Sequence, residues 1–179
     1  VQLIKSVSQR IESDVQQRLA IGFLIAVILM FASMAILFSS YSQPIMVLTA
    51  IPFGIIGALI GHLLLGEPLT LWSMAGIVAV SGIVVNDNIV LIHFINSRIH
   101  QEMPMIKAIL SAGRARFRPI ILTTITSFLG LIPMLFEKSF EAQFLIPMAV
   151  SISFGVLFAT SISFFLVPSL SLIRDDLRT

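Results

Sequence analysis

The chain has 179 residues, of which 57% are hydrophobic and only 11% charged. A soluble domain carries about a quarter charged residues, so this composition excludes an ordinary water-facing surface and points to the bilayer. The net charge of +2 is no nucleic-acid footprint, the lack of cysteine excludes thiol chemistry, and the scattered His62, His93 and His100 form no metal site.

A bilayer core about 30 Å thick takes about 20 apolar helical residues. Residues 1–18 place Ile4, Val7, Ile11 and Val15 opposite Lys5, Glu12, Gln16 and Arg18, the spacing of an amphipathic helix leading into a span. They read as the end of a preceding domain, and the chain as a piece of a larger protein. The first span, 19–38, holds no charge after Arg18. The second, 45–65, is entered through Pro44 and holds Pro52, His62 and the three glycines Gly54, Gly57 and Gly61. The pair Gly57 and Gly61 has the small-xxx-small spacing that lets another helix backbone approach closely.

The third span, 69–95, carries Asn86-Asp87-Asn88 at membrane depth. A carboxylate there is costly unless paired, protonated or hydrated, which makes it a functional candidate by default. The competing reading is that Asp87 only ties its helix to a neighbour. At about 100° per residue, Gly82, Asn86 and His93 share one stripe, with Ser81, Asn88 and Asn96 on an adjoining face. Asp87 points elsewhere, among Ile83, Val90 and Phe94. Spacing therefore leaves open which of Asn86 and Asp87 faces a proton relay, and His93 reads as a packing or interface group.

Residues 104–118 set Ile106, Ile109, Leu110 and Phe117 against Lys107, Ser111, Arg114 and Arg118, the pattern of an amphipathic helix in the headgroup plane. The fourth span, 119–136, opens at Pro119 and carries Thr123, Thr124, Thr126 and Ser127. Hydroxyls in such helices commonly bond their own backbone; the alternative is a water file. Arg116 and Arg118 read either as headgroup anchors or as an electrostatic guard at the mouth of a proton path. The fifth span is 140–173, followed by a tail at 174–179. The fold class expected is an all-α integral membrane protein of five spans joined by short antiparallel links, plus the interfacial helix.

Basic residues orient it. Arg98, Lys107, Arg114, Arg116, Arg118, Arg174 and Arg178 gather at one end, against Lys5, Arg10, Arg18 and Lys138 at the other. The first end is expected in the cytoplasm, with the N-terminus outside. No nucleophile–base pair, phosphate loop or metal spacing points to an enzyme, and no cofactor is implied.

Several motifs in order, Ser42-Gln43-Pro44, Ala50-Ile51-Pro52-Phe53-Gly54, Gly82-Ile83-Val84-Val85-Asn86-Asp87, Arg116-Phe117-Arg118-Pro119-Ile120, Gln143-Phe144-Leu145-Ile146-Pro147-Met148-Ala149 and Leu166-Val167-Pro168, resemble the resistance–nodulation–division (RND) efflux transporters. The likeness is greatest to their hydrophobe/amphiphile efflux branch, the acriflavine-resistance type. The resemblance runs from about Leu19 onward. It implies twelve membrane helices in two halves, of which these are eight to twelve, with residues 1–18 ending a periplasmic domain. It further implies a proton-driven homotrimer of the bacterial inner membrane, working with a periplasmic adaptor and an outer-membrane channel. The family's acidic pair on helix four is absent from this chain. A lysine on helix ten faces that pair in the well-known drug pumps, and the matching position here is Asn86, followed by Asp87. Arg116 and Thr123 match positions tied to the proton path. The relay candidates are thus Asp87, Asn86, Asn88, Thr123 and Arg116. Two other readings are a protein-export subunit of the SecD/SecF kind and a structural scaffold without a relay.

Overall fold

A computed structural model describes residues 2–139 and 142–176, with side chains from Arg10 onward. The side chains of Ile4, Lys5 and Val7, together with Phe140 and Arg178, lie outside the described residues. The described residues form six helices: α1 (Gln2–Phe38), α2 (Ser42–Leu48), α3 (Ile51–Leu65), α4 (Leu71–His100), α5 (Met105–Leu135) and α6 (Ala142–Asp176). They provide five segments long and apolar enough to cross a membrane, the second made of α2 and α3 in tandem.

Two boundaries differ from the sequence pattern, both at prolines. The second span is broken at Thr49–Ala50. Pro52 lacks the N–H that would bond to the Leu48 carbonyl, and the chain turns through Ala50 N–H to Val47 O (3.2 Å) and Thr49 Oγ1 to Met46 O (2.6 Å). At Pro119 the opposite happens. The amphipathic segment and the fourth span, which the sequence pattern separates there, form one unbroken helix, α5, from Met105 to Leu135. A proline removes a single ladder bond, and neighbouring helices can hold a membrane helix through that loss.

The helix ends account for the short links. α1 and α3 each stop at a residue with positive φ, Ser39 (47°) and Gly66 (69°), and α4 is followed, one residue past Gln101, by Glu102 (59°). After each, an amide reaches back to a carbonyl of the last turn, as Glu67 N–H does to His62 O at 3.1 Å and Met103 N–H to Arg98 O at 3.3 Å. α4 begins with a capping box: the Thr70 and Ser73 side chains exchange bonds with each other's backbone N–H.

The last helix organises the bundle. α6 packs against α3, α4 and α5, while α1 touches α2 and α4 and is otherwise exposed. Small residues allow the α3–α6 contact to close. A Cβ at Gly57 would lie 2.5 Å from Phe158 Cβ and 2.7 Å from the Phe154 carbonyl, and one at Gly61 would strike the Phe154 ring. Gly54 sits against Val80 of α4. His62, 4% exposed, then joins three pieces: Nε2 is 3.0 Å from Ser151 Oγ on α6, and Nδ1 is 3.1 Å from the Glu67 carbonyl in the link. The apolar core runs between these contacts, with Val47, Leu91, Ile95 and Val167 at one level and Val80, Val84, Val156 and Ala159 at another. Large apolar side chains such as Leu63 and Ile36 are more than four-fifths exposed (84% and 81%), as a lipid-facing surface requires.

Candidate functional site on α4 and α5

Asn86 and Asp87 are consecutive on α4 and lie on different surfaces. The stripe Ala79, Gly82, Asn86 and His93 is exposed, and nothing lies within 4 Å of a Cβ built on Gly82. Asp87 is half-buried and turned toward α5 and α6, where it lines a small cavity with Ile120, Thr160, Ser163 and Phe164. Its Oδ2 is buried without a hydrogen-bond partner. Asn88 is fully turned inward, and its Nδ2 donates to Ser163 Oγ at 3.4 Å, tying α4 to α6. The wheel put Asn86 apart from Asp87; the bundle shows which side is open and which is packed.

Arg116 is fixed by an aromatic ring rather than by an acid. Its guanidinium carbon lies 4.5 Å from the centre of the Phe94 ring, and Arg98, one turn along from Phe94, approaches the same ring at 5.6 Å. Such contacts contribute about 0.5–2 kcal/mol, depending on hydration. Arg116 Nε is buried without a hydrogen-bond partner, and among the described residues no carboxylate pairs with this side chain.

The two helices run antiparallel, so this contact sets their register. Seven residues along α5 from Arg116, roughly 10 Å, Thr123 comes level with Asp87 and Asn86, which lie seven and eight residues back from Phe94. Thr123 is exposed and its Oγ1 donates to the Pro119 carbonyl at 3.0 Å; Thr124 is buried and donates to Ile120 at 2.9 Å. Both hydroxyl protons are therefore used locally, leaving lone pairs outward at Thr123. Thr126 and Gly130 continue the exposed side of α5. The structure thus divides the five relay candidates. Asn86 and Thr123 are open at one level, Arg116 lies two turns below, and Asp87 and Asn88 belong to the packed side.

One polar contact has no signature in the sequence pattern. Gln43 and Asn96 exchange two amide hydrogen bonds, each 2.9 Å, between α2 and α4. They stand beside a cavity of about 330 Å³ at the end of the bundle that holds His100 and Arg174. Gln43 falls in the motif at 42–44, but nothing in its spacing names Asn96, fifty-three residues away.

Residues 6–174 match the AcrB/AcrD/AcrF family. The multidrug resistance protein MdtC of Erwinia amylovora is 31% identical over 156 residues, covering 87% of this chain and 15% of that protein. MdtC of Proteus mirabilis is 28% identical over the same share. The crystal structure of a heavy metal efflux pump superimposes with a TM-score of 0.80 at 28% identity, over 90% of this chain and 16% of the pump. The chain therefore spans about 15% of the length of the curated relatives it matches. Both the ordered motifs and this match over nearly the whole chain place it in one group: the chain belongs to the AcrB/AcrD/AcrF family of RND efflux transporters.

Proposed function

We propose that this chain is the membrane part, helices eight to twelve, of a proton-driven exporter of hydrophobic or multiple drug-like compounds, and that Asn86, Thr123 and Arg116 form its side of the proton relay. The observation that carries the reading is a set of exposed polar groups. Asn86 and Thr123 lie exposed at one level on adjacent helices, and a buried guanidinium edge without a carboxylate partner sits below them. A lipid surface is a poor place for such groups, whereas a carboxylate supplied by the first half of the same protein would satisfy them. Asn86 cannot carry a positive charge as a lysine does, so Arg116 is the cation of this relay and Asn86 a hydrogen-bonding neighbour.

The same reading places the N-terminus in the periplasm and the C-terminus in the cytoplasm of a bacterial inner membrane. Residues 1–18 then descend from a periplasmic domain, and the whole protein works as a homotrimer with a periplasmic adaptor and an outer-membrane channel. The relatives' names, multidrug resistance and heavy metal efflux, support export as the activity. The test is export by the full-length protein in proteoliposomes carrying a proton gradient. Arg116→Ala and Thr123→Val are expected to abolish gradient-driven export, with Leu122→Ala as the exposed control. Undiminished export by Arg116→Ala at normal expression would overturn the relay and leave the structural scaffold as the better account.

A further inference from the structure

We propose that α4, α5 and α6 line a site for one water molecule, held between the Asp87 carboxyl and the hydroxyls of Thr160 and Ser163, and that this hydrated carboxyl binds a proton on a different side of α4 from Asn86. The site is built wholly from this chain and goes beyond the relay described above.

Three observations carry it. The cavity beside Asp87 measures about 10 Å³, and about 10–15 Å³ is what one water needs. Its walls supply the two to four polar partners such a water requires. Asp87 Oδ2 and Thr160 Oγ1 are both buried without a partner, and Thr160 is only 6% exposed. Ser163, 3% exposed, accepts from Asn88 at 3.4 Å and keeps its own proton for another acceptor.

The third observation is the direction of Thr160. On the same helix, Ser161, Ser169 and Ser171 each donate to the carbonyl four residues back, at 2.7–2.8 Å. That is the default for a hydroxyl in a membrane helix. Thr160 departs from it, as the buried Ser153 does, but of the two only Thr160 lines this cavity, although a bond to Val156 O would satisfy it alone. Two orphaned oxygens on facing helices, with space for one water between them, are what a bridging water resolves.

A carboxyl in this place has two ways to meet its surroundings. As a carboxylate it accepts from the water and, through it, from Thr160 and Ser163. As an acid it donates to the water, which in turn donates a hydrogen bond to each of the two hydroxyl oxygens. The same three groups serve both states, so a proton can be gained or lost without a change in packing. Apart from Asp87, no titratable side chain lines the cavity from α4, α5 or α6. Asn86 lies on the exposed stripe, outside it.

The test is infrared difference spectroscopy on the full-length transporter in lipid, stepping pH, in ordinary and 18O-labelled water. A carboxyl C=O band that is lost in Asp87→Asn is expected. It should shift in Thr160→Val, return in Thr160→Ser, and stay in place in Asn86→Ala, with an accompanying O–H band that moves in labelled water. A spectrum unchanged by Asp87→Asn would overturn the proton site. A carboxyl band indifferent to Thr160→Val, or no label-sensitive O–H band, would overturn the bridging water. A band displaced as much by Asn86→Ala as by Thr160→Val would show that the two faces are one site. Thr160→Ser keeps the hydroxyl at nearly the same volume, so the comparison stands even where Asp87→Asn fails to fold.

Discussion

Gln43 and Asn96 donate to and accept from each other at 2.9 Å in both directions, which fastens α2 to α4 through a closed amide pair. Gln43 is 5% exposed, so little of its amide meets water when its partner is lost. Replacing Asn96 with Leu leaves that amide unpaired and is expected to destabilise the bundle by about 1–2 kcal/mol. Replacing both residues with Leu removes the orphan and should recover part of the loss. A double-mutant cycle, read by thermal unfolding in mild detergent, checks this. Additive losses in the double variant would show that the two amides do not work as a pair.

Gly57 and Gly82 make opposite predictions from the same substitution. A Cβ at Gly57 lies 2.7 Å from a backbone carbonyl of α6, which has no rotamer to escape into, whereas one at Gly82 meets nothing within 4 Å. Gly57→Ala must push α6 away from α3 and should cost about 1–3 kcal/mol. Gly82→Ala should cost nothing and stabilise this chain by up to about 1 kcal/mol through helix propensity. Thermal unfolding of the two variants side by side decides it. An equal loss in both would mean that the close approach at Gly57 is not what sets the cost, since helix propensity alone favours alanine at both positions.

These two cases mark how far the sequence reaches. The small-xxx-small spacing at Gly57 and Gly61 names a close contact, and apolar run length names the five spans, because both are local patterns. The partner of the contact, α6, is a tertiary fact. So is the split between Asn86 and Asp87: the wheel separates them by angle, and only the packing of α5 and α6 decides which angle faces inward. Proline was legible as a breaker and its outcome was not. Pro52 breaks its span and Pro119 does not, since the surrounding bundle determines whether a lost ladder bond becomes a turn. The Gln43–Asn96 pair and the orphaned Thr160 hydroxyl are invisible in spacing for the same reason.

His62 offers a third measurement. Its two ring nitrogens bridge Ser151 on α6 and the Glu67 carbonyl after α3, so it closes the α3 end onto α6. His62→Leu stays close to the original volume and removes both bonds, leaving a fully buried Ser151 hydroxyl without this partner. The expected cost is about 1–3 kcal/mol, with faster proteolysis in the 66–70 link. A stable variant with an unchanged cleavage rate would show that apolar packing alone holds this end.

Phe94 is the residue through which the position of Arg116 can be tested without touching its charge. The ring holds the guanidinium at 4.5 Å, and a planar cation stacked on a ring is oriented as well as attracted. Phe94→Leu removes the quadrupole and leaves a side chain of comparable polarity. The stability loss should be modest, about 0.5–2 kcal/mol, because no buried ion pair is broken. If Arg116 serves the relay, export by the full-length protein should fall in Phe94→Leu and be retained in Phe94→Trp, which offers a stronger ring. Arg116→Lys tests the other half of the contact: it keeps the charge but loses the plane and should behave like Phe94→Leu. Measured under one proton gradient at matched expression, the order expected is Phe94→Trp near the unmodified protein, then Phe94→Leu and Arg116→Lys, then Arg116→Ala. Full export in Phe94→Leu alongside loss in Arg116→Ala would mean that the charge acts wherever it hangs, and that the ring is only packing.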